Sequence, residues 1–368
     1  MEVGVQVPAH RLRTGDGRVE LDGSYGEGGG QIVRTACALS ALTGLSCRIS
    51  HIRAGRNRPG LRPQHCTALK GLASLCDAET SPLKVGSAEV TFIPGPLQIA
   101  ELDLDTGTAG SIGLVLQSLL LAGIGLPGAC HCILRGGTDV PNAPSCDYLK
   151  NVKVVLLAKM GYRVDLRVLR RGYYPKGGGI VQVEIDPPQN ELLEGVDLPI
   201  ATEIIGTHGV SHASSGLARR RVAERQRRQA TKALTDLLHI PAKIDVEYGP
   251  TRSTGSGLLV WARTRDSVTG ASSLGAQKKS AEQVAEEAVE MLLRTYHTHA
   301  AIDPWLGDQI LPYMALSRGP SVISVPYLTR HMKTNMWVIQ RFLNVRFYCE
   351  EQDRRIRIEC HPGEGVRY

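Results

Sequence analysis

The sequence predicts an α/β protein of the α+β kind: a large domain of repeated strand-and-helix units, with a smaller α/β domain inserted into it. Three observations lead there. Strand-like runs alternate with helix-like runs through the first half of the chain. A small-residue turn followed by a helix recurs in "GEGGGQIVRTACALSALTG", "GTAGSIGLVLQSLLLAGIG" and "GASSLGAQKKSAEQVAEEAVEMLL", an echo of the kind that repeated units leave. The composition also changes after Ile185.

In chain order, "CRISHI", "EVTFI", "HCILRG", "YRVDLRVL" and "IVQVEI" read as strands, because β-branched residues alternate with polar ones. Helices fit Gln31 to Leu42, Gln64 to Leu75, Ser111 to Ala122 and Tyr148 to Lys159, where apolar residues recur at helical spacing. "DPPQNELLEGVDLP" reads as a proline- and acid-rich linker, followed by a strand, helix, strand, strand set ending near Thr264. The expected organisation is therefore residues 1–185 and 265–368 as the large domain and 186–264 as the insertion. The helix of the insertion, "SSGLARRRVAERQRRQATKALTDLLH", turns many arginines outward. A solvated face and an RNA-contact surface both fit it, and the sequence does not separate them.

A chain of 368 residues with 42% hydrophobic and 21% charged residues suits a globular enzyme with a substantial core. Its 43 basic against 36 acidic residues, net +7, favours polyanionic partners. "MEVGVQVPAHRLRTGDG" lacks an export signal, and the run from Ile112 to Gly128 is broken by Gln117, glycines and Pro127, so it reads as a buried helix and turn. The expectation is no membrane association and a cytoplasmic location, nuclear if the source is eukaryotic. Nine cysteines without a C-x-x-C pair read as free thiols.

The stretch "GSYGEGGGQIVRT" is the first candidate site. Gly26, Gly28, Gly29 and Gly30 let backbone N–H groups turn inward, and the helix starting near Gln31 adds its positive end, an arrangement suited to phosphate. A tight structural turn would use the same glycines. Glu27 in its midst repels phosphate unless a cation lies between them, and Mg²⁺ is held by one or two carboxylates plus substrate phosphates. Arg34 lies one turn beyond Gln31 and can face the same anion. In "HIRAGRNRPGLRPQHCTALKGL", Arg53, Arg56, Arg58 and Arg62 are interleaved with glycine and proline, a rigid loop able to present guanidinium forks to a second anion. Pro63 opens a helix that brings Gln64 and His65 to its positive end. Two anion regions suggest two phosphorylated substrates.

The blocks "LDGSYGEGGGQIVRTACALS", "IRAGRNRPGLRPQH", "GGTDVPNAP", "RGYYPKGGG", "DQILPYMAL" and "RHMKTN" together resemble, in order and spacing, the RNA 3′-terminal phosphate cyclase family, over nearly the whole chain from Val19. The resemblance implies a large domain of βαβαββ-type units similar to the C-terminal domain of translation initiation factor three, carrying a smaller insertion. It implies an enzyme that uses ATP with Mg²⁺ or Mn²⁺ to convert an RNA 3′-phosphate to a 2′,3′-cyclic phosphodiester through enzyme-histidine–AMP and RNA–adenylate intermediates.

Carried onto this sequence, the resemblance makes His331 the adenylylated nucleophile, with His65 second by position. Asp308, Gln309, Trp305 and Pro141 would line the nucleotide. Gln31, Arg34, Arg53, Arg56 and Gln64 would hold RNA phosphate, and Glu27 would bind metal. Trp305 stands where many relatives have tyrosine, which keeps stacking but removes a hydroxyl. "GGTDVPNAPSCDY" would form a wall of the site through Pro141 and Pro144. A homodimer is one assembly open to such a chain. Two alternatives are a noncatalytic cyclase-like ribosomal RNA processing factor, against which His331 argues, and an enolpyruvyl transferase, against which the TRHMKTN block and the basic insertion argue.

Overall fold

The computed structural model describes residues 17–189 and 192–363; the N-terminal segment read above for export lies outside them, apart from Gly17. Sixteen strands form four four-stranded sheets among the described residues. The first sheet is built by β1 (Val19–Asp22), α1 (Gly30–Thr43), β2 (Cys47–Ser50), α2 (Pro63–Cys76), β3 (Glu79–Thr80) and β4 (Val90–Ile93). β1 and β2 pair in parallel, β2 with β4 and β4 with β3 antiparallel, giving the order β1-β2-β4-β3. Parallel neighbours need a crossover, and α1 supplies it.

The same order follows in β5 (Glu101–Asp105), α3 (Ile112–Ala122), β6 (Cys130–Gly136), α4 (Cys146–Tyr148) running through a π turn into α5 (Val154–Lys159), β7 (Arg163–Arg170) and β8 (Gly179–Asp186), with sheet order β5-β6-β8-β7. It returns a third time, interrupted. β9 (Asp197–Leu198) pairs in parallel with β14 (Ser321–Val325). Between them run the insertion and α8 (Pro304–Ala315), and after them α9 (Arg330–Phe342), β15 (Val345–Gln352) and β16 (Arg355–Pro362), in the order β15-β16-β14-β9.

The insertion is β10 (Ile204–Ser214), α6 (Val222–Leu238), β11 (Ala242–Gly249), β12 (Ser256–Thr264), β13 (Val268–Leu274) and α7 (Ala281–Tyr296), with its own sheet β11-β10-β12-β13. Sheet pairing therefore does not divide at 186 and 264. The segment expected to be a linker contributes β9 to the third sheet, and β13 beyond Thr264 pairs along β12. The physical reason is a tight turn, in which Thr264 N donates to Ser267 O, followed by the apolar stripe of α7. Val284, Ala285, Ala288, Val289 and Leu292 of α7 share one buried cluster with Ala230 and Leu234 of α6. The third sequence echo thus belongs to the insertion: its helix is α7, packed on β13.

Helices α1, α2, α3, α8 and α9 pack on one another between the sheets. α1 is buried on nearly every side, which carries its polar Gln31 and Arg34 into the interior. The apolar run at Ile112 becomes α3 and a 3₁₀ turn in the core, and no helix among the described residues is long and apolar enough to cross a membrane. All nine cysteines are free.

Buried polar contacts tie the insertion to the body. Tyr173 Oη lies 2.7 Å from His212 Nδ1 of β10, and Arg171 Nη2 reaches Glu247 of β11 at 2.5 Å. Arg171 Nη1 also bonds Asp147 at 2.6 Å and Asp139 at 3.3 Å. Asp303, fully buried, caps α8 by accepting from Trp305 N and Leu306 N, and accepts as well from Gly270 N of β13 and Tyr148 Oη. Removing a buried acceptor of this kind strands several donors at once, so Asp303→Ala should lower stability by about 3 kcal/mol. A denaturant midpoint unchanged from the parent protein would contradict this.

Candidate active site

The glycine loop leaves β1 and enters α1 against the first turn of α9. Gly26 adopts a positive φ of 60°, and a Cβ there would overlap Thr334 Oγ1. That approach lets Glu27 N donate to Thr334 Oγ1 at 3.0 Å. Gly30 is equally constrained, since a Cβ would overlap His65 Nε2. Gly26 and Gly30 are therefore demanded by contact with the two histidine-bearing helices, while Gly28 and Gly29 are crowded by the loop's own Ser24 and Glu27.

His331 sits in the first turn of α9, whose N-cap Thr329 accepts from Met332 N at 2.9 Å. Thr329 Oγ1 in turn donates to the Asp308 carboxylate, and Asn335 Nδ2 donates to Asp308 O at 2.9 Å. Burial lifts Asp308 to about 7, with Asp303 adding to the rise and the Thr329 bond opposing it. Asp308 thus supports the helix end that carries His331. Gln31 Oε1 accepts from His331 Nδ1 at 2.7 Å, so the proton sits on Nδ1 and the lone pair on Nε2. Nε2 is 3.7 Å from Glu27 Oε1. Burial, then the charges of Arg34 and Arg56, hold His331 below the ordinary histidine range. A neutral imidazole with an open Nε2 is a nucleophile.

His65 is in the opposite condition. It is 3% exposed, and its Nδ1 accepts from Arg62 N at 3.0 Å in a capping box. Burial, with Arg34, Arg53 and Arg62 around it, holds it well below the ordinary value. Its proton is therefore on Nε2, which faces Gly30, so neither ring nitrogen offers a free lone pair.

The two anion regions expected from the sequence meet here. Arg56 of the arginine loop is ion-paired to Glu27 Oε1 and donates to Glu27 O at 3.1 Å. Arg53, in a left-handed conformation with φ 54°, donates through Nη1 to Arg58 O and Gly60 O at 2.6 and 3.0 Å, so it shapes its own loop. Arg53, Arg56, Arg58 and Arg62 line a cavity of about 480 Å³. Arg34 is 8% exposed; its Nη2 reaches Gln117 Oε1 at 3.4 Å, and its Nε has no partner among the described residues. Burial and Arg53 push it down to about 10.

Gln31, expected at a phosphate, is engaged with His331. Gln64 Oε1 accepts from Ser111 N at 3.4 Å, joining α2 to the start of α3. Gln309 Nε2 donates back to Trp305 O at 3.0 Å while its Oε1 is buried without a partner. Trp305 and Pro141 are exposed and stand outside the bonded group of Glu27, Gln31, Arg56 and His331. "GGTDVPNAPSCDY" uses Asp139 and Asp147 to hold Arg171 and the insertion. Sequence reading missed Thr329, Thr334, Asn335 and Gln117 as supports. The only signal in the sequence is that Thr334 and Asn335 directly precede the apolar run Met336, Trp337, Val338 and Ile339; their burial is seen in the structure.

Glu27 Oε2 is buried with no hydrogen-bond partner. An orphaned carboxylate oxygen beside cations and a histidine fits a divalent ion, with Glu27 as its protein ligand. The cluster of Asp139, Asp147 and His212 also has ligand-like spacing, but Arg171 already neutralises it.

Fold and site define an α/β protein that gathers arginines, an acid and a neutral histidine at the ends of two packed helices. A family profile described as RNA 3′-terminal phosphate cyclase matches residues 25–349. The chain is 44% identical over 334 residues to a protein named RNA 3′-terminal phosphate cyclase from Methanopyrus kandleri, covering 89% of this chain and 94% of that protein. It is 46% identical over 330 residues to one of the same name from Pyrococcus furiosus, again covering 89% and 94%. The enolpyruvyl transferase NikO from Streptomyces tendae shares 16% identity over 59% of this chain and 38% of its own, with a TM-score of 0.27. The chain belongs to the RNA 3′-terminal phosphate cyclase family.

Because Arg56 both lowers the His331 proton affinity and occupies Glu27, Arg56→Ala should raise the His331 titration midpoint above that of the parent protein. Ring-nitrogen NMR shifts followed against pH read this directly, and an unmoved midpoint would remove Arg56 from the histidine's surroundings.

Proposed function

We propose that this chain uses ATP to convert an RNA 3′-terminal phosphate to a 2′,3′-cyclic phosphodiester. The observation that carries the reading is His331: its Nδ1 is engaged by Gln31 and its Nε2 is open beside Glu27 and the arginines. The large domain, on the same reading, is three βαβαββ units like the C-terminal domain of translation initiation factor three; the recurring strand order supports it.

In the first step Nε2 of His331 attacks the α-phosphorus of ATP, the bond to the bridging oxygen breaks, and pyrophosphate leaves with that electron pair. The product is a phosphoramidate. Nδ1 gains positive character as the N–P bond forms, and the Gln31 acceptor stabilises its proton. Trp305 and Pro141, both exposed, are available to the adenine, and Asp308 keeps the helix end in position through Thr329. Mg²⁺ or Mn²⁺ at Glu27 supplies neutralisation of the triphosphate charge when bound.

In the second step an oxygen of the RNA 3′-phosphate attacks the adenylyl phosphorus and the P–N bond breaks, returning the lone pair to His331. Arg34, Arg53, Arg56 and Gln64 hold this phosphate. Arg34 is well suited, being a buried cation with an unpartnered Nε that an anion would satisfy. His65 Nε2–H is a neutral donor to the same group. Finally the 2′-oxygen attacks the activated phosphorus, loses its proton, and AMP leaves. This closure is intramolecular, so positioning alone supplies much of its rate.

ATP labelled at the α-phosphate should give an acid-labile, alkali-stable protein adduct, lost in His331→Ala and kept in His65→Ala. Adduct surviving in His331→Ala, or absent from the parent protein, overturns the assignment. Glu27→Ala should cut adduct formation on the order of a hundredfold or more and shift its Mg²⁺ requirement upward; an unchanged Mg²⁺ titration would place the metal elsewhere.

A further inference from the structure

The insertion carries a cleft of about 870 Å³ that takes no part in the site described above. Its walls are the 3₁₀ turn Ser215–Arg220, the outer face of α6 and the start of β11. Arg219, Arg220, Arg227, Arg228, Lys232 and Lys243 are all exposed along it. Among the described residues none of these six side chains is within ion-pair distance of a carboxylate, whereas the acids nearby are already engaged. Glu224 accepts from Tyr248 Oη at 2.6 Å, and Glu282 is held by Arg225 at 2.6 and 2.8 Å.

The arrangement works against the fold that bears it. A run of arginines stands at the N-terminal end of a helix, where the backbone dipole disfavours cations, and Arg221 enters that helix in a left-handed conformation with φ 49°, which costs an arginine about 1 kcal/mol. Nothing in the packing of the insertion needs these side chains, because α6 docks through Ala223, Gln226, Ala230 and Leu234 on the other face. An exposed cationic groove kept at such a cost fits a polyanion, and six of the eight basic residues lining it are arginine, the side chain whose planar fork matches phosphate.

We propose that this cleft binds the phosphodiester backbone of the RNA whose 3′-phosphate end enters the site at His331. The inference rests on the function proposed above. That function requires an RNA whose remaining length must lie somewhere on the protein, and the charge of the cleft is complementary to it. A bilayer suits it less, since the apolar face of α6 is buried in the insertion and has nothing to insert. Contacts of this kind go to the backbone and carry no base preference.

The test compares the parent protein with the triple variant Arg227→Gln, Arg228→Gln, Lys232→Gln, using single-stranded RNA of about 25 nucleotides and a trinucleotide, both with 3′-phosphates. Neutralising three phosphate contacts should weaken binding of the long RNA at least tenfold and lower the slope of log affinity against log salt by about two. Affinity for the trinucleotide, and formation of the histidine–AMP adduct, should match the parent. Unchanged long-RNA affinity and slope overturn the proposal, as does an equal loss on the trinucleotide, which would mean the change had acted on the catalytic site. A polyglutamate peptide or anionic vesicles displacing the long RNA from the parent as effectively as unlabelled RNA would also overturn it, assigning the cleft to an acidic protein or a membrane. Failure of the functional reading looks different: the parent would form no AMP adduct, whatever the cleft binds.

Discussion

Arg34 is a buried guanidinium with no carboxylate paired to it among the described residues, and much of the surrounding structure follows from that. Burial of an unpaired charge is costly, so a helix can hold one only where packing elsewhere is strong enough to compensate. α1 has that packing, because α2, α3 and α9 close around it and its apolar residues are fully buried. The same enclosure brings His65, His331 and the arginine loop within electrostatic reach, so each cation lowers the proton affinity of the next. The lowered proton affinity of both imidazoles thus comes, beyond burial, from one concentration of positive charge. Glu27 moderates it through its pair with Arg56, and its second oxygen is buried without a hydrogen-bond partner among the described residues.

Much of the fold is legible in the sequence wherever elements are long enough to show a period. The helices read at Gln31 to Leu42, Gln64 to Leu75 and Ser111 to Ala122 lie within or one residue from α1, α2 and α3. β1, β5 and β9 escaped because "VELD", "ELDLD" and "DL" are short and carry an acid at every second position, so they look as much like solvated loop as like strand, whereas "CRISHI" and "EVTFI", also short, are richer in β-branched and aromatic residues. The ends of the insertion escaped for a related reason. Proline and acid marked Asp186 onward as a linker, yet β9 needs only two residues to join a sheet whose other members lie far along the chain.

In the site, residue types were readable and pairings were not. Four glycines, an acid and a cluster of arginines announce anion chemistry. Which of them touch depends on bringing α9 against α1, and no local pattern encodes a bond such as Gln31 to His331. Gln31 therefore read as a phosphate ligand, Arg56 as part of a separate site, and Thr334 and Asn335 as unremarked letters of a block. Asp139 and Asp147 are instructive in the same way, since their motif read as a wall of the active site while the two acids secure Arg171 and the insertion.

The third sheet is divided by the insertion, and this bears on how the chain is made. During synthesis β9 leaves the ribosome long before β14, its one strand partner among the described residues, has been translated. A two-residue strand cannot persist alone for that interval. The insertion emerges next and can assemble its own four strands and two helices first, and its ends are joined where Ala201 N donates to His299 O at 2.9 Å. A folded unit with adjoining ends holds the chain on either side of it close together, so the gap between β9 and β14 is short in space although long in sequence, and closing it costs far less entropy than an open loop of that length. Once folded, the insertion clasps together the two halves of the sheet that it interrupts.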